Sequence, residues 1–112
     1  MHFVETKVNR VVILTVKGNL VQKDETDKLQ EKILSILNKD RKYLVIDLKQ
    51  VSMITSLGIG GLIRALRTVR EKDGDLKLSS VNASVRKVFT ITKLEEIIEI
   101  FDTSDEAVKS FE

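Results

Sequence analysis

The chain has no cysteine, no proline and no tryptophan, and only one histidine; its aromatic rings are those of four Phe and one Tyr. Each scarcity closes a class of chemistry. Without cysteine there is no disulfide framework, no thiolate metal site and no thiol nucleophile. With His2 alone, beside the chain start, neither a histidine-based metal centre nor a Ser-His-Asp relay is expected. No apolar run approaches a membrane span, and Met1 to Lys7 lacks a signal-peptide core, so a cytoplasmic protein that does not enter a membrane is expected. The net charge of +2 is small and the few rings offer little stacking, which argues against nucleic acid as a partner. The densest basic group, Arg64, Arg67, Arg70 and Lys72, reads as a solvated helix face.

What remains is an ordinary globular composition, 42% hydrophobic and 32% charged over 112 residues, the size of a single domain spanning 1–112 around one core. In the absence of proline, periodicity and glycine carry the parse. Val4 to Val8 and Val11 to Val16 read as two strands of a tight hairpin around Asn9-Arg10. Val11-Val12-Ile13-Leu14 is continuously apolar, so the second strand is expected to be covered on both faces. Leu29, Ile33, Ile36 and Leu37 recur at helical spacing, with Asp24 or Thr26 as candidate cap. Tyr43 to Leu48 is the most buried-looking strand. Ile59, Leu62, Ile63, Leu66 and Val69 form a second helical stripe that ends at Gly74, and Leu76 to Ser79 is another strand. Ala83 to Thr90 is a short helix, Ile97 to Phe101 a last short strand, and Ser104 to Phe111 a terminal helix capped by Ser104. Strands alternating with helices predict an α/β fold: a mixed sheet of four to five strands with an N-terminal hairpin, flanked by about four helices.

The most informative stretch joins the buried strand to the second helix: Val51-Ser52-Met53-Ile54-Thr55-Ser56-Leu57-Gly58-Ile59-Gly60-Gly61. It sets two hydroxyls at the helix start. A hydroxyl there can cap the helix, receive a phosphate, or do both, and Ser56 is expected as the N-cap with Thr55 as the alternative. Glycine costs up to about 1 kcal/mol in a helix interior. Gly58, Gly60 and Gly61 therefore need a reason, and close approach of another backbone, from this chain or a partner, is one. Leu57 either packs the first turn onto the core or adds apolar area to a docking patch, and core packing is the favoured reading. The segment does not complete a dinucleotide fingerprint and has no P-loop lysine, so no cofactor is expected.

The order of elements and these residues together resemble the STAS-domain family, specifically the free-standing anti-sigma factor antagonists of bacteria. The resemblance rests on Gly18-Asn19-Leu20, on Ile46-Asp47-Leu48, and above all on Val51 to Gly60. Leu76-Lys77-Leu78 and Val88 to Leu94, followed by Ile97 and Ile98, fit as well. In that family the motif reads Asp-Ser-Ser/Thr-Gly-Leu-Gly, and the first hydroxyl after the aspartate accepts a phosphate. Ser56 holds that place here. Thr55 stands where the family has aspartate, Leu57 where it has the second hydroxyl, and Val21 where an acidic residue is usual. The resemblance implies a non-enzymatic regulatory module, with no metal and no catalytic residue, acting as a monomer or weak dimer. Its unphosphorylated form would bind an anti-sigma factor of the serine-kinase type and so free a sigma factor. Phosphorylation at Ser56 (or Thr55) would end the contact, and a phosphatase would restore it. The implied contact surface is Thr55, Ser56, Leu57, Gly58 and Gly60, with Asn19, Val21 and Gln22 beside it. A non-phosphorylated STAS scaffold of a signalling or lipid-transport complex is the competing expectation.

Overall fold

A computed structural model describes all residues, 1–112. Strands β1 (His2–Val8) and β2 (Val11–Lys17) form the hairpin, followed by helix α1 (Lys23–Asn38), strand β3 (Tyr43–Asp47) and helix α2 (Ser56–Glu71). Strand β4 (Asp75–Ser79), helix α3 (Ala83–Thr92), a single 3-10 turn (Leu94–Glu96), strand β5 (Ile100–Phe101) and helix α4 (Ser104–Lys109) complete the chain.

The sheet order is β1-β2-β3-β4-β5, antiparallel between β1 and β2 and parallel thereafter. Each new strand is added on the same side of the last. Right-handed crossovers taken in one direction place every connecting helix on one face of the sheet. Accordingly, α1, α2 and α3 share a core of 23 buried residues with one side of β2, β3 and β4. The other side has a much smaller cluster, Val11, Ile13 and Val45 under Ala107 and Val108 of α4. Val11 to Leu14 is buried throughout because its alternate side chains enter the two clusters, as the continuous apolar run required.

Strand β1 begins at His2, two residues before the expected Val4, and α4 ends at Lys109, two before Phe111; four other boundaries depart from the sequence expectation for a visible local cause. Helix α1 starts two residues before an Asp24 cap and four before a Thr26 cap would allow, with Gln22 as N-cap residue, because the Glu25 carboxylate reaches back to the Gln22 amide at 2.8 Å. Helix α4 is capped by Thr103, whose Oγ1 accepts from Glu106 N at 3.1 Å, and not by Ser104. Ser104 instead bonds Asp47 and Ser79 at the ends of β3 and β4. The last strand is only Ile100–Phe101, because Leu94–Glu96 closes into a turn that uses Ile97 and Ile98 amides. Helix α3 runs to Thr92 and ends on Lys93, whose positive φ of 61° stops it.

The thin layer on the α4 side is held by an aromatic and cationic stack. Lys77 is buried, bonded to Ser110 Oγ at 2.7 Å and set 4.2 Å from the Phe111 ring centre. Phe111 meets Tyr43 with ring centres 5.6 Å apart, and Arg10 covers Tyr43 while donating to the Phe111 carbonyl at 2.8 Å. Truncating Phe111 to alanine is expected to cost about 2 kcal/mol in urea unfolding, less than the roughly 3–5 kcal/mol for Phe89 of α3, which is fully buried in the main core. Equal losses would show that the α4 layer is no thinner energetically than the main core.

Candidate functional site

The site is built where two loops cross, one leaving β2 (18–22) and one leaving β3 (51–55). They are joined by a parallel bridge between Leu20 and Ile54: Leu20 N donates to Met53 O at 3.2 Å, and Thr55 N donates to Leu20 O at 3.1 Å. Asn19 is the second fastening. Its Oδ1 accepts from Ser52 N at 3.1 Å, Ser52 Oγ at 3.0 Å and Met53 N at 3.1 Å. A third is Thr55, whose Oγ1 donates to the Val21 carbonyl at 2.8 Å. The Val21 and Gln22 amides both donate to Glu25, at 2.9 and 2.8 Å. Those two amides, Val21 first, hold the Glu25 carboxyl below the usual carboxylate range.

Helix α2 then starts at Ser56, and the expected capping role is corrected. Thr55 is the N-cap residue, Ser56 is the first helical residue, and no side chain caps the helix, because the Thr55 hydroxyl is turned to Val21. The first intrahelical bond is Ile59 N to Thr55 O at 2.9 Å, so the amides of Ser56, Leu57 and Gly58 have no acceptor within the chain. No acidic residue lies in this first turn. The positive end of the helix dipole is left uncompensated.

The hydroxyls divide cleanly. Ser56 is exposed and bonded to nothing in the chain, whereas Thr55 is half-buried with its hydroxyl engaged. Leu57 is 57% exposed, against the expectation of core packing: Ile59 and Leu62 point inward, and residue 57 falls on the opposite side of the turn. Met53, 56% exposed, was missed by sequence reasoning and stands on the loop just before Ser56. Its only sequence signal is a large apolar residue between the polar Ser52 and the buried Ile54.

The glycines also separate. Gly58 is buried, and a Cβ there would collide with the Leu20 carbonyl oxygen and lie 2.6 Å from Ile54 Cγ1. Gly61 would meet Thr26 Cγ2 at 2.6 Å. Both are packing glycines, so Gly58 belongs under the site and not on its surface. Gly60 is exposed, and a Cβ there would meet nothing within 4 Å. Of the residues singled out in the sequence, Ser56, Leu57, Gly60 and Gln22 thus face outward. Asn19, Val21, Thr55 and Gly58 hold them in place. Arg64 and Arg70 of the basic stripe pair with Asp27 and Asp75, as a solvated face would.

The surface has no pocket, no helix is long and apolar enough to cross a membrane, and no three His, Asp or Glu side chains gather as a metal site. The patch is apolar at Met53 and Leu57, with one free hydroxyl, that of Ser56.

The model of the STAS domain matches residues 3–107. The chain belongs to the STAS-domain family. A protein described as an anti-sigma factor antagonist homolog in Thermotoga neapolitana is 34% identical over 73 residues, and that match spans 65% of each chain. The anti-sigma-B factor antagonist of Bacillus subtilis is 32% identical over 81 residues, 72% of this STAS chain and 73% of the relative. The crystal structure of an anti-sigma factor antagonist described in Thermotoga maritima superimposes with a TM-score of 0.87 at 28% identity, covering 96% of this chain and 92% of that one. The five-stranded mixed sheet with four α-helices is therefore the STAS architecture of the anti-sigma factor antagonists.

Two outcomes follow from the local geometry. Gly58→Ala is expected to destabilise the protein by about 1–3 kcal/mol through the clash with Leu20. Gly60→Ala, which meets only open space, should instead stabilise by up to about 1 kcal/mol. Thermal unfolding of both variants checks the pair; equal effects would contradict the packing described. The lowered Glu25 carboxyl stabilises the loop fully above its ordinary value of 4.5 and loses that effect as pH falls through the lower folded value. Val21 and Gln22 amide shifts followed by NMR should move in that acidic window and stop moving in Glu25→Gln.

Proposed function

We propose that this STAS unit, spanning 1–112, is a cytoplasmic anti-sigma factor antagonist. In this reading it binds an anti-sigma factor of the serine-kinase type and is switched off by phosphorylation at Ser56. The observation that carries the reading is the free, exposed Ser56 hydroxyl at the uncapped start of α2, between the exposed side chains of Met53 and Leu57. Its relatives named as anti-sigma factor antagonists support the class of partner. Met53 and Leu57 supply apolar contact area, and Gly60 leaves the helix backbone open to close approach by the partner's main chain.

The switch needs no conformational change. Three free amides and the helix dipole favour an anion at Ser56, so a phosphate leaves the fold intact. Against a partner surface shaped for a neutral hydroxyl, a charge of about −1.5 to −2 must be desolvated, and an uncompensated charge at such an interface costs several kcal/mol. About 3 kcal/mol already weakens binding more than a hundredfold. A phosphatase resets the system.

One observation favours a second reading, a STAS scaffold that is never phosphorylated and serves a signalling or lipid-transport assembly. Where the family has a carboxylate beside the acceptor, Thr55 brings a neutral hydroxyl already committed to Val21. A sigma factor and kinase encoded beside the gene favour the first reading, and a transporter ATPase the second.

Incubation with the cognate kinase and MgATP, followed by mass spectrometry, should place one phosphate on Ser56 and none on Thr55. Ser56→Asp should bind the kinase at least about a hundredfold more weakly than wild type, while Ser56→Ala binds normally. Leu57→Ala should lose about tenfold in affinity with unchanged unfolding, since the side chain is exposed. Absence of phosphate from Ser56, or tight binding by Ser56→Asp, defeats the switch.

A further inference from the structure

Strand β1 is a seven-residue edge with nothing laid against its outer side. It pairs with β2 without a bulge, from His2↔Lys17 to Val8↔Val11, and the opposite edge of the sheet, β5, is only two residues long. The backbone bonds outside the regular elements include none from residues 2–8, so the outward N–H and C=O groups of β1 have no partner in the chain. Such an edge is a template for another strand unless proline, a bulge or charge protects it. Here the only protection is Glu5 and Lys7, one of each sign.

That pair is also a code. A two-fold axis normal to a sheet sets one residue opposite its own copy, and the neighbours then pair in reverse order. Centring on Glu5 would set two carboxylates face to face, which is unfavourable. Centring on Thr6 sets Glu5 opposite Lys7 twice, Val4 opposite Val8 twice and Thr6 opposite Thr6. The first pairs lie on the α1 side of the sheet, where Lys7 makes no ion pair of its own and Glu5 bonds only Lys32 at 2.6 Å. The valine pairs lie on the α4 side, where Val4 is 43% and Val8 36% exposed and where the small core cluster contains no β1 residue. Both faces are complementary in one register.

We infer that β1 pairs antiparallel with β1 of a second copy of this chain about Thr6, joining two five-stranded sheets into one of ten. The pairing lies on the hairpin edge and does not use Met53, Ser56 or Leu57, so it stands or falls independently of the phosphorylation reading. With about five residues paired per chain, the contact is small and the dimer weak, populated between about 10 μM and 1 mM.

Sedimentation equilibrium over that range should show the dimer in wild type. Lys7→Glu, which sets glutamates opposite each other, should weaken it at least about tenfold. The double swap Glu5→Lys with Lys7→Glu restores opposite charges in this register and no other two-fold register, and should recover affinity to within about threefold. Because the chain has no cysteine, Thr6→Cys is a clean reporter: mild oxidation should cross-link it, while Val4→Cys, which faces Val8, should not cross-link. Circular dichroism of each variant confirms that it remains folded. A wild type that stays monomeric at 1 mM overturns the proposal. So does a dimer indifferent to Lys7→Glu, a double swap that fails to recover, or cross-linking of Val4→Cys as fast as Thr6→Cys.

Discussion

The backbone carbonyl of Leu20 is the point on which the rest of the site turns. It accepts the Thr55 amide and sits directly against the Cα of Gly58. Any side chain at residue 58 would push the two apart and take the start of α2 with it. With glycine there, the loop leaving β2 closes onto the loop leaving β3, and Asn19 fastens Ser52 and Met53 from the other side. Ser56, Met53 and Leu57 are then presented outward as a consequence of backbone packing beneath them. The patch owes its shape to residues that never reach the surface.

The same division explains what could be read from the sequence. The alternation of strands and helices, the hairpin and the doubly covered β2 were legible because burial imposes a period on apolar residues. Val11 to Leu14 gave the two-sided cover directly. The Ser56 region was legible as a helix start carrying hydroxyls. Its hydrogen bonds were not. Whether Thr55 turns toward the helix or toward Val21 depends on where a loop 34 residues away in sequence comes to lie, and no local pattern records that. Leu57 failed for a related reason: a single leucine at a helix start fits either face, and only the rotation fixed by Ile59 and Leu62 settles it. Thr103 displaced Ser104 as a cap because Ser104 had distant partners in Asp47 and Ser79.

The one-directional growth of the sheet has a further effect. It concentrates three helices and most of the core on one face, leaving α4 and the Lys77, Phe111, Tyr43 and Arg10 stack to shield the other. That shield stops short of β1. The unevenness is built into the order of the strands, and the exposed valines of the edge follow from it.

Gly58, Gly60 and Gly61 sit within the first two turns of a helix that no side chain caps. Each lowers the local helix preference, and only two of the three are held by neighbours. The end of α2 that carries Ser56 is consequently held by the packing of Gly58 and Ile59 on the loop beneath rather than by helix preference, whereas Leu62 onward is held by the core.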